Sequence, residues 1–209
     1  MNRLKKYKAI FFDFDGVIKD SNDVKDEGYA QLFEPFGPEV VKKAVAHNIA
    51  HGGISRFEKI PMYLKEYAGV ELPEAELQEY FTRYSELTVD GVVASDYNEP
   101  VIGYIFAQSQ QQRFYIVTGS SQDDIDVITE RLNIRNHFQG IFGSPQKKPD
   151  IIAQVLDQGL FTKAECCMIG DADTDWHAAR ENDIDFFWVE TDTNAEVFAS
   201  ISAQKLQLG

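Results

Sequence analysis

The chain has 209 residues and a mass of 23.7 kDa, which suits one core domain with room for a small insertion. Its formal net charge of -14 at pH 7 gives a surface that repels nucleic acid phosphates and anionic membranes, so we exclude both as partners. No stretch approaches the length of a membrane span, and the apolar run after the basic N-terminus is too short for a signal peptide. We therefore expect a cytoplasmic protein.

The N-terminal half contains one predicted strand followed by a helical block. Residues 8–14 are short, aromatic and β-branched, as expected of a strand that is buried on both faces. In residues 20–95 the apolar positions recur at spacings of three and four, which predicts amphipathic helices and no strand. The pattern therefore separates an inserted all-helical block of residues 20–95 from the flanking residues 1–19 and 96–209.

Predicted helices and strands alternate after Pro100. The strands are RFYIVTG, GIFGS, ECCMIGD and DFFWVE, and a helix over residues 194–206 closes the chain. This alternation predicts a Rossmann-like parallel sheet with helices on both faces. Cys166 and Cys167 are neighbours in a strand and point to opposite faces, so we interpret them as reduced core residues.

Acidic and hydroxyl side chains stand where three of these strands end. Ligands of an open parallel sheet bind at the carboxyl ends of its strands, so segments far apart in sequence are expected to meet there. The polar residues at these ends are Asp13, Asp15, Thr118, Asp171, Asp173 and Asp175.

The first of these segments is an acid pair. At strand spacing Asp13 and Asp15 point to the same side. Two carboxylates so close resist ionising together unless a cation lies between them or one keeps its proton. A divalent ion could hold one while the other serves as acid and base. The alternative interpretation is a pair of exposed turn aspartates before Gly16.

Three further segments fit a site for a metal ion and a phosphate. Asp171, Asp173 and Asp175 offer the oxygen ligands that hard divalent cations prefer, although acids are also common at a helix start. Thr118 and Gly119 lead from a strand into a helix, where a hydroxyl and backbone N–H groups can bind an anion. In QKKPD, either lysine could supply a cation for a phosphate, or both could be solvated surface residues.

Taken together, the four segments resemble the motifs of the haloacid dehalogenase superfamily over the whole chain. DFDGVIKDS is similar to its first motif, VTGSS to its second, KKPD to its third and GDADTD to its fourth. The adjacent lysines depart from the common K-P-x-P-D spacing, and we favour Lys148 over Lys147. Asp173 is an additional acid, either near the metal or facing solvent.

The resemblance implies a fold, a metal and a role for each motif residue. Asp13 would be the nucleophile and Asp15 the acid and base. Thr118, Gly119 and Lys148 would bind the phosphoryl oxygens. Mg²⁺ would be bound by the residues of two motifs, namely Asp13, the backbone carbonyl of Asp15, Asp171 and, in support, Asp175.

The position of the helical block resembles the cap of the phosphoglycolate phosphatase and β-phosphoglucomutase subgroup. Around Gly52-Gly53, the cluster of His51, Ser55, Arg56 and Lys59 resembles a substrate-specificity loop. Arg56 could bind a carboxylate or a second phosphate, or it could be an exposed helix-end arginine. We expect the cap to close on hinges near residues 17–21 and 95–99.

These resemblances predict a Mg²⁺-dependent phosphatase for a small phosphorylated metabolite, such as a sugar phosphate or phosphoglycolate. Asp15 favours phosphoryl transfer over dehalogenation, because a halide leaving group needs no proton. The runner-up is a sugar phosphomutase of the β-phosphoglucomutase type, which GGISR favours. A non-catalytic binding protein on the same fold is the third hypothesis.

Overall fold

The computed structural model describes residues 2–191, 194–195, 198 and 203–207, and these contain one parallel sheet. The strand order is β3-β2-β1-β4-β5-β6. The strands are β1 (Ala9–Phe12), β2 (Arg113–Ser121), β3 (Gly140–Ser144), β4 (Cys166–Gly170), β5 (Asp185–Trp188) and β6 (Gln204–Lys205). Each pair of neighbours is parallel, which confirms the predicted Rossmann-like α/β fold.

The central strand β1 is buried on both faces because helices cover the sheet on both sides. Ile10 and Phe12 belong to one apolar cluster, and Ala9 and Phe11 belong to the other. Phe12 is paired with a residue of β2 on one side and of β4 on the other. The segments that follow these three strands therefore emerge side by side at one edge of the sheet.

Eight helices of the described residues connect or cover the strands. Those beside the sheet are α5 (Glu99–Gln108), α6 (Gln122–Arg131), α7 (Lys148–Leu156) and α8 (Asp173–Glu181). Those between β1 and α5 are α1 (Asn22–Phe33), α2 (Pro38–Ala50), α3 (Arg56–Glu66) and α4 (Glu74–Ala94), and we call residues 20–95 the helical insert. The insert has an apolar cluster of its own, which includes Tyr29, Phe33, Ile60 and Tyr63.

The two chain segments that join the insert to the sheet lie side by side. The Asn98 N–H donates to the Ile18 carbonyl at 3.0 Å. Lys19 is buried, and its ammonium group donates to the carbonyls of Val93, at 3.2 Å, and Ser95. These carbonyls stand at the end of α4, where a helix leaves its last acceptors unpaired and a cation is favourable. Lys19 thus ties the entry segment to the exit segment.

The end of the chain differs from the prediction of a helix over residues 194–206. Residues 196–197 and 199–202 of that range lie outside the described residues. The prediction is wrong at Gln204–Lys205, which form β6 and pair with β5. A strand of two residues is too short to show an alternating pattern, and its conformation depends on pairing with β5. No helix in the described part is long and apolar enough to cross a bilayer.

Candidate active site

Asp13 is the first residue after β1, at the edge where the strands end. Its backbone N–H donates to the Ile169 carbonyl of β4 at 2.9 Å, which extends the pairing of the sheet by one residue. The side chain is buried, and its Oδ1 accepts from the Phe14 N–H at 2.7 Å. Its Oδ2 accepts from Lys148 Nζ at 2.7 Å. Both carboxylate oxygens are therefore held in fixed directions.

Lys148 bridges two acids of the site. It begins α7, its side chain is 5% exposed, and its Nζ also lies 2.6 Å from Asp175 Oδ1. Burial alone would lower its pKa, but the carboxylates of Asp13 and Asp175 outweigh burial and raise the pKa above the ordinary value. Lys147 is exposed at the N-cap of the same helix. Of the two candidate lysines, Lys148 is the one at the site.

Three carboxylates of two motifs gather at this edge. Each of Asp13, Asp171 and Asp175 contributes one carboxylate oxygen, and these three oxygens lie within 4.8 Å of one another. Burial and then the charge of Asp13 raise the pKa of Asp171 to about 7, although Asn22 Nδ2 donates to Asp171 Oδ2 at 2.9 Å. Burial also raises the pKa of Asp175, against the charge of Lys148. Crowded carboxylates with raised pKa values are relieved by a cation, so the donor set fits Mg²⁺.

Asp15 has partners of its own. Its Oδ1 accepts from Ser21 Oγ at 2.6 Å, and its Oδ2 accepts from Ser120 Oγ at 2.8 Å and lies 3.3 Å from Lys25 Nζ. Asp13 and Asp15 line the same cavity but bind different partners. Because β1 ends at Phe12, strand alternation does not continue through the motif, and local contacts set the direction of each carboxylate.

The glycine of the first motif is required by the fourth motif. Gly16 has a φ of +77°, and a Cβ there would lie 2.1 Å from Asp171 Oδ2. Gly170 is constrained in the same way, because its Cβ would lie 2.2 Å from the Cβ of Asp175. A side chain at either position would displace an acid of the site.

Thr118 and Gly119 lie in β2, next to β1. Thr118 is buried, and its Oγ1 accepts from the Ser120 N–H at 3.2 Å. A Cβ on Gly119 would lie only 2.3 Å from the carbonyl oxygen of Gly53, in the helical insert. The second motif is therefore in direct backbone contact with the insert.

The insert covers the site through its two consecutive glycines. Thr174 Oγ1 of α8 donates to the Gly52 carbonyl at 3.2 Å. Gly53 has a φ of +77°, and its Cβ would lie 2.0 Å from Thr174 Oγ1 and 3.1 Å from Lys148 Nζ. Beneath this contact, the core and the insert enclose a cavity of about 430 Å³ that Asp13, Asp15 and Thr118 help to line.

Arg56 lines the cavity, but its guanidinium is already bound within the protein. It is 4% exposed and forms an ion pair with Asp124 of α6. Its Nη1 donates to Ser85 Oγ at 2.7 Å, and the group lies 4.6 Å from the centre of the Tyr84 ring. The alternative of an exposed helix-end arginine is wrong. The carboxylate that Arg56 binds here belongs to the core.

The other two predicted residues of the insert do not line the cavity. Ser55 caps α3, and its hydroxyl accepts from the Phe57 N–H at 3.2 Å. His51 is exposed, its Nδ1 lies 3.0 Å from the His47 carbonyl, and its ring stacks on that of His47. Neither side chain faces the acids of the core.

Several lining residues were not among the predicted site residues. These are Asn22, Lys25, Asn48 and Ser120, whereas Lys59 was predicted only as a member of the cluster around Gly52-Gly53. Helix spacing could have indicated some of them. Lys25 stands three residues after Asn22 on α1, and Lys59 three residues after Arg56 on α3, so each pair shares a helix face.

Comparisons with known proteins agree with this geometry. A family model described as haloacid dehalogenase-like hydrolase matches residues 10–189. A protein of Chromobacterium violaceum named phosphoglycolate phosphatase is 28% identical over 195 residues, with 85% of this chain and 82% of that protein covered.

Solved structures with low sequence identity share the fold. A candidate β-phosphoglucomutase from Bacteroides vulgatus superposes with a TM-score of 0.76 at 18% identity, covering 100% of this chain and 93% of that one. A predicted phosphoglycolate phosphatase from Haemophilus somnus superposes with a TM-score of 0.70 at 16% identity, covering 88% of this chain and 85% of that one.

Proposed function

Because the chain belongs to the haloacid dehalogenase-like hydrolase family and is an enzyme of its phosphatase type, we propose that it hydrolyses small phosphomonoesters with Mg²⁺. The substrates would be sugar phosphates or phosphoglycolate-like compounds. The observation that carries this proposal is the placement of Asp13, which is buried beside a protonated Lys148 and two further carboxylates, on the wall of a cavity between the core and the insert.

Asp13 is the proposed nucleophile. A carboxylate oxygen forms a bond to phosphorus while the bond from phosphorus to the substrate oxygen breaks, which leaves an aspartyl-phosphate. The contacts of Asp13 with the Phe14 N–H and with Lys148 support this role, because they fix the direction of the carboxylate before the substrate arrives.

Asp15 is the proposed acid and base. It would give its proton to the departing alkoxide and later take a proton from the water that attacks the aspartyl-phosphate. Its carboxylate lines the same cavity as Asp13 and is held by Ser21 and Ser120. Two hydroxyl donors and a nearby Lys25 orient the group toward the space that the leaving oxygen would occupy.

The remaining core residues would bind charge on the phosphoryl group. The Thr118 hydroxyl, the Gly119 N–H and the Lys148 ammonium are the proposed ligands of its oxygens. The proposed metal ligands come from the first and fourth motifs, namely Asp13, the backbone carbonyl of Asp15, Asp171 and Asp175. The charge that a bound Mg²⁺ supplies would offset the repulsion between the nucleophile and the phosphoryl group.

We further propose that the helical insert is a cap that opens for substrate entry. The Gly53 carbonyl packs against Gly119 and so holds the insert on the core, and the two segments near residues 17–21 and 95–99 would act as hinges when the insert moves away. Hydrogen exchange in the insert should slow when substrate is bound to the inactive Asp13→Asn variant. Exchange that is unchanged by substrate would argue against a moving cap.

A sugar phosphomutase is the second candidate. Such an enzyme uses the same core and returns the phosphoryl group to a second hydroxyl of the sugar. Gly52 and Gly53 pack directly against the core. This contact supports a mutase, because a mutase must keep water away from its aspartyl-phosphate. A requirement for a sugar bisphosphate during turnover would distinguish the mutase from the phosphatase.

The test of the proposed function is phosphate release from a panel of sugar phosphates, phosphoglycolate and nucleotides, with Mg²⁺ or with EDTA. We expect release with Mg²⁺ only, and a loss of roughly 10⁴-fold or more in Asp13→Asn. Asp150→Asn removes an exposed acid near the start of α7 and is the matched control.

Release that persists in EDTA or in Asp13→Asn would contradict the proposal. If no member of the panel releases phosphate, isomerisation of sugar 1-phosphates with a bisphosphate primer would support the mutase. Failure of both assays would favour a non-catalytic binding protein on this fold.

A further inference from the structure

The helical insert contributes three cations to the lining of the cavity, and they differ in their partners. Lys25 pairs with Asp15 at 3.3 Å, and Arg56 pairs with Asp124. Lys59 lines the same cavity and has no ion pair with any residue that the structure describes. It is therefore the lining cation whose charge is least compensated.

Lys59 is buried, with 3% of its surface exposed, and its Nζ donates to Asn48 Oδ1 at 2.5 Å. Asn48 Nδ2 donates in turn to Asp26 Oδ1 at 2.7 Å. All three side chains line the cavity, so the amide fixes the ammonium group without neutralising it. A buried ammonium is unfavourable unless an anion pairs with it, which makes this position a binding site for negative charge.

The surroundings of Lys59 favour an anion from outside the protein. Burial lowers its pKa to about 7, against the charges of Asp26 and Asp173 and with a smaller contribution from Lys148. Other acids line the cavity nearby, including Asp20 and Asp23, and they repel an anionic group. The attractive position for negative charge on the insert side is therefore at Lys59.

We propose that Lys59, positioned by Asn48, binds a second anionic group of the substrate, remote from the phosphoryl group that Asp13 attacks. The substrate class is a phosphomonoester that carries a carboxylate or a second phosphate. This inference rests on the proposed phosphatase function and adds to it the residue that selects the substrate.

Arg56 is less suited to this role. Its guanidinium binds Asp124, Ser85 and the Tyr84 ring, and a ligand would have to displace a buried carboxylate to reach it. Lys59 would exchange only one contact with a neutral amide, or keep it, because an ammonium group has three donors.

The test compares pairs of substrates that differ in the second anion. Phosphoglycolate is paired with 2-hydroxyethyl phosphate, and fructose 1,6-bisphosphate with fructose 6-phosphate, so the pairs distinguish a carboxylate from a second phosphate. The variant Lys59→Gln removes the charge and keeps a donor for Asn48, and Lys59→Met removes both. Lys65→Gln removes an exposed lysine of the same helix and is the matched control.

We expect the wild type to favour the anionic member of at least one pair. For that member, Lys59→Gln should lower kcat/KM by about 10- to 100-fold, the range of a charge-assisted hydrogen bond, with the neutral member changed less than about threefold. A wild type without preference, or equal loss for both members in both variants, would overturn the inference alone. If other members of the phosphatase panel are hydrolysed but none of these four compounds is, the inference alone is overturned. Absence of hydrolysis of the whole panel would overturn the proposed function and the inference with it.

Discussion

The core side and the insert side of the cavity differ in how their buried charges are paired. On the core side, Asp13, Asp171 and Asp175 crowd around the single amine of Lys148, and the carboxylates are in excess. On the insert side, the Lys59 ammonium group donates to the neutral amide of Asn48 and forms no ion pair with a described residue. In the two proposals made above, the reaction takes place at the acidic edge of the core, and the substrate is selected by a lysine of the insert.

The largest expected effect is on the core side, at the lysine that joins two acids. Lys148→Met leaves Asp13 and Asp175 buried without their cation, which should lower the free energy of unfolding by about 3–5 kcal/mol. Added Mg²⁺ should restore part of the loss, because a cation that binds the folded state stabilises it. Urea unfolding in EDTA and in Mg²⁺ measures both effects.

Lys147→Met is the control for this experiment, because Lys147 is the exposed neighbour on the same chain segment. Its unfolding should match the wild type within about 0.5 kcal/mol. Equal stability of the two variants in EDTA would mean that the core side does not depend on the charge of Lys148.

A second test concerns the ion pair that joins the two sides. Arg56→Met leaves Asp124 buried and unpaired, which should destabilise the fold by about 3 kcal/mol and lower kcat/KM for every substrate alike. Asp124→Asn with Arg56→Met should cost less than the sum of the single changes, because the variants share one interaction. A loss confined to anionic substrates would instead give Arg56 the role that we assign to Lys59.

The core side could be predicted from sequence because strand topology positions it. Asp13 and Asp171 follow β1 and β4, and Thr118 lies in the last part of β2, the other neighbour of β1. Parallel strands bring their carboxyl ends to one edge whatever the details of packing, so a correct strand assignment was sufficient. The sequence also indicated a turn at Gly16, but the contact of Gly16 with Asp171 could be seen only in the structure.

The insert side could not be predicted in the same way. Arg56 and Lys59 share one face of α3, and their spacing does not tell which of them meets a core acid and which faces the cavity. That outcome depends on how the insert is seated against α6, which places Asp124 opposite Arg56. His51 and Ser55 were chosen for their proximity in sequence, but local contacts at the helix ends hold them elsewhere.

A third test perturbs the contact between the two sides. Gly53→Ala places a methyl group 2.0 Å from Thr174 Oγ1 and should displace the insert, with a loss of about 10- to 100-fold in kcat/KM. Gly69→Ala is the matched control, because Gly69 also has a positive φ, of +68°, but meets nothing within 4 Å. Both variants should lose about 1 kcal/mol of stability from backbone strain.

Steady-state kinetics and thermal unfolding of the two variants separate the clash from the strain. If Gly53→Ala and Gly69→Ala lost the same activity, the seating of the insert on the core would not matter for turnover.

The smallest expected effect is on pH dependence. Burial lowers the pKa of Lys59 to about 7, so its charge is present below that pH and is lost above it. Because kcat/KM reports the free enzyme, the preference for phosphoglycolate over 2-hydroxyethyl phosphate should fall by up to about tenfold per pH unit above pH 7. Using the ratio cancels the titration of the phosphoryl group and of the core acids, which both substrates share.

Three charged groups interact with Lys59, namely Asp26 on α1, Asp173 on α8 and Lys148 on α7. The His47 ring of α2 is also nearby, because the charge of Lys59 lowers the pKa of His47. Of these, His47 is the other group that titrates nearest to neutral pH, but burial, His51 and Lys59 lower its pKa below the ordinary histidine value, so its charge is lost at a lower pH than that of Lys59. The ratio measured for Lys59→Gln decides between them. A ratio that no longer falls above pH 7 assigns the charge to Lys59. A ratio that still falls above pH 7 would mean that another group carries the charge, and Lys59 would then not be the residue that selects the substrate.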